Sequence, residues 1–196
     1  MTFIETVFQK LKRHPKRIVF PEGAEPRVLH AAARYVKLKL GAPVLLGHRE
    51  EIEKAARDAD ASLDHIGIID PEKASELPTF VQRLEKLKRY RDLGPKQAHE
   101  IMVNPNYFGA MMLQYGQVDG LVTGAAETAS STLRPLIQLI KPLPNTSSIS
   151  SCTMLDLSNK RYGERGVMLF ADCAVIPEPT VEQLATIAVQ TGTICR

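Results

Sequence analysis

Short apolar runs alternate with longer amphipathic stretches through the first part of the chain, and this alternation limits the fold more than any other feature. "RIVF" at 17–20, "PVLLG" at 43–47 and "HIGIID" at 65–70 are too short for helices and are punctuated by Pro or Gly, as buried strands are. Between the first two, the stretch from Glu25 to Leu40 repeats Val28, Ala32, Tyr35 and Val36 at helical spacing, with Gly41 as its expected stop. "REEIEKAARDA" supplies the next helix. Strands alternating with helices predict an α/β fold of three layers, a mainly parallel sheet flanked by helices. Ahead of the first strand, Thr2 and Glu5 form the pattern of a capping box, Phe3, Val7, Phe8 and Leu11 share a face, and His14-Pro15 ends the helix.

The rhythm breaks over residues 78–116, which read as three successive helices divided at Gly94-Pro95 and Asn104-Pro105, and resumes with the strand "DGLVTG". "KPLPN" at 141–145 is the expected domain boundary, with an N-terminal α/β domain over 1–144 and a partial second α/β domain over 145–196. In that second part Ser148–Leu157 and Gly166–Asp172 are β-like runs suited to an antiparallel hairpin. A last helix starts at the cap Thr180 and carries Leu184, Ile187, Ala188, Thr191 and Ile194 as its stripe. One hairpin and one helix are small for an independent core, so this part reads as truncated, to be completed by a missing C-terminal portion or a second copy.

Composition narrows the function. With 25 basic against 22 acidic residues in 196, the net charge of +3 is too balanced for a nucleic-acid binder working over a wide face, but a small anion is easily held. Cys152, Cys173 and Cys195 lack CxxC spacing or neighbouring histidines, so neither a disulfide framework nor a metal site is indicated, and buried thiols are expected. His14, His30, His48, His65 and His99 read as surface or capping residues. No apolar run reaches membrane-spanning length and no secretory leader is present, which makes the cytoplasm the default.

The stretch "DGLVTGAAETASSTLRP", Asp119 to Pro135, runs from strand to loop to helix, where unpaired backbone N–H groups can hold an anion. With Thr132 or a near neighbour as N-cap, Pro135 fits the first helical turn and places Arg134 there as well. An anion would offset the clash of that charge with the helix dipole; the alternative is a salt-bridged surface arginine. The loop matches neither the GxGxxG nor the GKT pattern of nucleotide-binding loops. Glu22, Glu25 and Arg27 follow the first strand, where open α/β sheets place ligands, although capping and local pairing explain them equally well. "LKRYR" sets Lys88, Arg89 and Arg91 around Tyr90, either a phosphate site or a solvated face, and Asp172 follows a strand as a turn cap or a substrate contact.

"RIVFPEGAEPRVLHAA", "VDGLVTGAAETASSTLRPLIQLI" and "YGERGVMLFADCAVIPEPTVEQLATIAVQ" together closely resemble the phosphate acetyl/butyryltransferase family, in order and over nearly the whole chain. The resemblance implies two α/β domains flanking a cleft, usually a homodimer, and acetyl transfer between coenzyme A and inorganic phosphate. Coenzyme A enters as substrate and no cofactor is implied. Arg134 then matches an arginine at the coenzyme A or phosphoryl end and is the catalytic candidate. Thr123, Gly124, Thr128 and Ser131 of the loop, with Lys88, Arg89 and Arg91, are the substrate-binding candidates. Members of the family are longer, and the base and a Gly/Ser-rich loop fall in the part that this chain lacks. The alternatives are an acetyl-CoA-binding module without turnover, or a phosphate butyryltransferase, although "LRPLIQLI" and "FADCAV" look closer to the acetyl branch.

Overall fold

The computed structural model describes residues 2–142 and 148–195, apart from the side chain of Lys88. Two compact units result, Lys10–Lys141 and Met1–Gln9 with Pro142–Arg196. The expected boundary at 144/145 lies outside the described residues.

In the first unit, β1 (Lys16–Phe20), β2 (Gly41–Leu46), β3 (Gly67–Ile69) and β4 (Gly120–Leu121) form an all-parallel sheet in the order β3-β2-β1-β4. Because strand side chains alternate between faces, each strand feeds two cores. Ile18, Phe20, Leu45 and Ile68 face one way, onto Val28, Leu29 and Ala32 of α2 (Pro26–Lys37) and Ile52 and Ala56 of α3 (Arg49–Asp58). Val19, Val44, Leu46, Ile69 and Leu121 face the other way. There they meet Phe80 and Leu84 of α4 (Leu77–Glu85), Met102 of α5 (Pro95–Met102), Phe108 and Met111 of α6 (Pro105–Gln114) and Leu139 of α7 (Ala129–Leu139). These are the three expected layers. Each such Val, Leu, Ile, Phe or Met side chain contributes about 1.5–3 kcal/mol when fully buried.

The helix boundaries follow from local chemistry. In α1 (Phe3–Arg13) the Thr2 N–H donates to the Glu5 carboxylate at 2.8 Å and the Glu5 N–H donates to the Thr2 hydroxyl at 3.2 Å, the predicted capping box. The helices α5 and α6 start at the predicted prolines, with Gly94 and Asn104 as their N-caps. A short 3-10 turn, Lys88–Tyr90, lies between α4 and α5. The predicted stop of α2 is corrected. The helix ends at Lys37, the left-handed position is taken by Lys39 at φ 57°, and Gly41 belongs to β2. There a Cβ would collide with the Lys16 carbonyl, so glycine serves the close approach of β1 and β2 rather than a helix stop.

The second unit contains β5 (Thr153–Asp156) and β6 (Val167–Phe170), paired antiparallel from Thr153↔Phe170 to Asp156↔Val167 as the hairpin pattern predicts. It also contains α8 (Val181–Ile194), capped by Thr180 and Gln183. Asp172 closes the turn after β6: its carboxylate accepts from the N–H groups of Ser151, Ala174, Val175 and Ile176 and from the Ser151 hydroxyl. The Ser151 hydroxyl contributes most to holding the Asp172 carboxyl far below the usual range. Among the large apolar side chains described in this unit only Ile187 is fully buried. The three cysteines are exposed, contrary to the expectation of buried thiols, because they sit in a unit with so little interior. No helix among the described residues is long and apolar enough to cross a membrane.

Candidate functional site

In the order β3-β2-β1-β4 the chain steps outward from β1 on one side and later returns to its other side, so the crevice past the carboxyl ends of β1 and β4 is the topological switch point. Glu22 follows β1 and reaches across it. One carboxylate oxygen accepts from the N–H groups of Gly124 and Ala125, both at 2.8 Å, and the other from those of Ala126 and Glu127 at 2.6 and 3.0 Å. The backbone groups that the sequence offers to an anionic ligand therefore already hold an anion from the chain itself. Burial pushes the Glu22 carboxyl up, but the N–H bonds outweigh it and hold it below the ordinary value. Gly124, at φ +93°, gives the loop the left-handed residue this curvature requires.

The neighbouring side chains brace the same loop. Arg27 pairs with the N-cap Glu25 at 2.6 Å and donates to the Ala125 carbonyl at 2.6 Å. Asn106, only 2% exposed on α6, donates to Glu127 at 2.9 Å and accepts from the Thr123 hydroxyl at 2.8 Å. Thr128 caps α7, its hydroxyl accepting from the Ser131 N–H at 3.3 Å, while the Ser131 hydroxyl donates to the Thr128 carbonyl at 2.8 Å.

Thr128 as cap corrects the predicted start of α7. Thr132 is buried inside the helix and its hydroxyl turns back to the Thr128 and Ala129 carbonyls. Arg134 consequently stands in the second turn and Pro135 further inside, where it withholds an amide from the Ser131 carbonyl. The dipole effect fades within the first turn, so it does not act on Arg134 as expected.

Arg134 lies instead on the exposed flank of α7. With Ser130, Leu133, Ile137 and Gln138 it lines a hollow of about 280 Å³, and Arg89 of the 3-10 turn lines the same hollow. Neither guanidinium has a hydrogen bond or ion pair among the described residues. The structure thus brings Arg89 and Arg134 together, two of the predicted site residues from distant parts of the sequence. Thr123, Gly124, Thr128 and Ser131 form the loop that leads into α7 and do not line the hollow; exposed Arg91 does not line it either. The Lys88 side chain lies outside the described residues.

A second hollow, about 300 Å³, opens past β1, β2 and β3 and is lined by Glu22, Glu25, Glu51, Asp70 and Glu72 with His48. The His48 Nδ1–H donates to the Asp70 carboxylate at 3.1 Å, and that bond raises the imidazole pKa. Five carboxylates repel a polyanion, whereas the hollow lined by Arg89 and Arg134 presents two cations.

Sequence reading missed Gln138 and Tyr107. The Tyr90 hydroxyl donates to Gln138 Oε1, and the Tyr107 hydroxyl donates to the same atom at 2.8 Å. A polar residue one turn beyond Arg134 in the apolar "LIQLI" run was the available signal.

The family model described as phosphate acetyl/butaryl transferase matches residues 2–196. The phosphate acetyltransferase of Thermoanaerobacterium thermosaccharolyticum is 40% identical over 192 residues, 98% of this chain and 58% of that protein. The phosphate acetyltransferase of Clostridium acetobutylicum is 35% identical over 196 residues, 100% of this chain and 59% of that protein. A phosphotransacetylase structure from Streptococcus pyogenes superposes with a TM-score of 0.84 at 31% identity, covering 97% of this chain and 59% of that one. The chain therefore spans somewhat more than half the length of the relatives it matches.

Proposed function

The chain belongs to the phosphate acetyl/butaryl transferase family, and from that premise we propose that it takes part in acetyl transfer between coenzyme A and inorganic phosphate. The observation that carries this reading is the hollow shared by Arg89 and Arg134, two cations from separate elements beside the apolar walls Leu133 and Ile137. In the reaction a phosphate oxygen attacks the thioester carbonyl carbon. A C–O bond forms, the carbonyl oxygen carries the negative charge of a tetrahedral intermediate, and the C–S bond then breaks to release coenzyme A thiolate. Phosphate and the coenzyme A phosphates repel each other, so the protein's part is to hold two polyanions close with fixed cations. Arg89 and Arg134 supply such charge. Thr123, Gly124, Thr128 and Ser131 serve it by fixing the loop and first turn of the helix that carries Arg134.

Calorimetric titration of coenzyme A into the chain tests this reading. Arg89→Ala and Arg134→Ala are each expected to weaken binding by about tenfold or more, the scale of one charge-assisted contact. Unchanged affinity in both variants would sink the assignment. Because the chain spans 58% of a relative's length, binding without turnover is the second reading. Thioester release measured with and without phosphate separates the two, since a binder releases no coenzyme A in either case.

A further inference from the structure

We propose that Gln138, Tyr90 and Tyr107 are positioning residues that set the spacing of Arg89 and Arg134, so that the two guanidiniums meet one anion; this rests on the anion-binding reading of the hollow.

Three elements converge on one oxygen. Gln138 projects from α7 a single turn beyond Arg134 and lines the same hollow. Its Oε1 accepts from Tyr90, the residue next to Arg89 in the 3-10 turn, and from Tyr107 of α6 at 2.8 Å. An amide oxygen has two lone pairs, and both are used. Tyr90 is only 7% exposed, so its hydroxyl depends on a partner within the protein. The turn is also tied locally, by Tyr90 N–H to the Leu87 carbonyl at 2.8 Å and Leu93 N–H to the Tyr90 carbonyl at 3.2 Å. The side-chain bond to Gln138 joins that turn to the arginine-bearing helix.

The clamp matters because the guanidiniums themselves are not held by any bond among the described residues. Arg89 and Arg134 are exposed and lack partners among the described residues, so their separation is inherited from the backbones that carry them. A displacement near 1 Å at a binding or reacting group is enough to cost about 10²-fold in rate. Burial, and next the neighbouring Tyr107 hydroxyl, push the Tyr90 phenol up, so it remains a neutral donor through the physiological range, while the charges of Arg89 and Arg134 pull it the other way.

The test is a double-mutant cycle with coenzyme A as calorimetric probe. Gln138→Met keeps the length of the side chain but removes the acceptor, and Tyr90→Phe keeps the buried ring if the first variant folds poorly. Either is expected to weaken coenzyme A binding by about tenfold, yet to add almost nothing once Arg89→Ala is present, because the misplaced cation is already gone. Hydrogen exchange of α7 should show both variants folded. Effects of clamp and arginine that multiply in full would mean a general structural role and overturn the proposal, as would unchanged affinity in a folded clamp variant. If the unsubstituted chain binds no coenzyme A, or if neither arginine variant changes its affinity, the reading of the hollow fails first and the clamp goes with it.

Discussion

Helices α6 and α8 are both capped by the side chain of the residue just before them, Asn104 and Thr180, and both are rich in apolar residues, yet α6 buries Phe108, Ala110, Met111 and Met112, whereas α8 buries Ile187 alone. Within the first unit α6 has a sheet on one flank and α4, α5 and α7 around it, so its apolar side chains close into a shared core. The second unit contains, besides α8, only a two-stranded hairpin and the first turns of α1 among its described elements, and Val181, Leu184, Val189 and Ile194 stay exposed. The contrast separates two kinds of cause. A cap and a pattern suffice to start a helix, but burial depends on what the rest of the chain brings alongside.

The largest test of that difference is truncation of one apolar side chain in each helix. Phe108→Ala, at a site 1% exposed, should cost about 3–5 kcal/mol by urea denaturation of the first unit. Leu184→Ala, at 53% exposure, should cost less than about 1 kcal/mol. Comparable losses would mean that α8 is packed in solution. Next comes Glu22→Gln, which removes a charge accepting from the N–H groups of residues 124–127 and should destabilise the first unit by about 2 kcal/mol near neutral pH. The folded Glu22 value lies below the ordinary one, so its stabilisation is present above the ordinary glutamate range and is lost as pH falls through the folded value. The gap between wild type and Glu22→Gln should therefore narrow on acidification, and a gap that widens would contradict the assignment.

A smaller pair of substitutions sharpens the comparison from the other side. Asn104→Ala and Thr180→Ala each remove a side-chain N-cap, one in each unit, and each should cost about 1 kcal/mol because capping is local. Amide exchange in the first turns of α6 and α8 reads both. The smallest effect is expected from Arg49→Ala, which breaks an exposed Arg49–Glu53 pair at 3.4 Å and should change stability by no more than about 0.5 kcal/mol.

Features that depend on near neighbours in the chain were legible. Thr2 with Glu5, Gly94-Pro95, Asn104-Pro105 and Thr180 each announce a helix end through their own chemistry, and the parallel sheet follows from the spacing of its strands. The start of α7 was misplaced because Thr128, Ser130, Ser131 and Thr132 all carry cap-forming hydroxyls, and Pro135 drew the boundary toward itself although the helix absorbs it. At the site, Arg89 and Arg134 could be singled out as cations, but their meeting in one hollow depends on tertiary placement. The occupation of the loop by Glu22 was hidden for the same reason: the partners lie 102 to 105 positions apart. The cysteines were misjudged because thiol burial is decided by the interior available, not by the residue.

Strand β4 has only two residues in register with β1, Gly120 opposite Ile18 and Leu121 opposite Val19. Ahead of it, Asp119 accepts from the Arg17 N–H at 2.8 Å; past its other end, Glu22 gathers the loop that starts at Gly124. Both ties span 102 residues. Closing so long a segment costs entropy before any of these bonds can repay it, whereas β1, β2 and β3 are joined through shorter connections. Native-state hydrogen exchange is therefore expected to find this edge opening before β1 and β2, and with it the anchoring of the helix that carries Arg134.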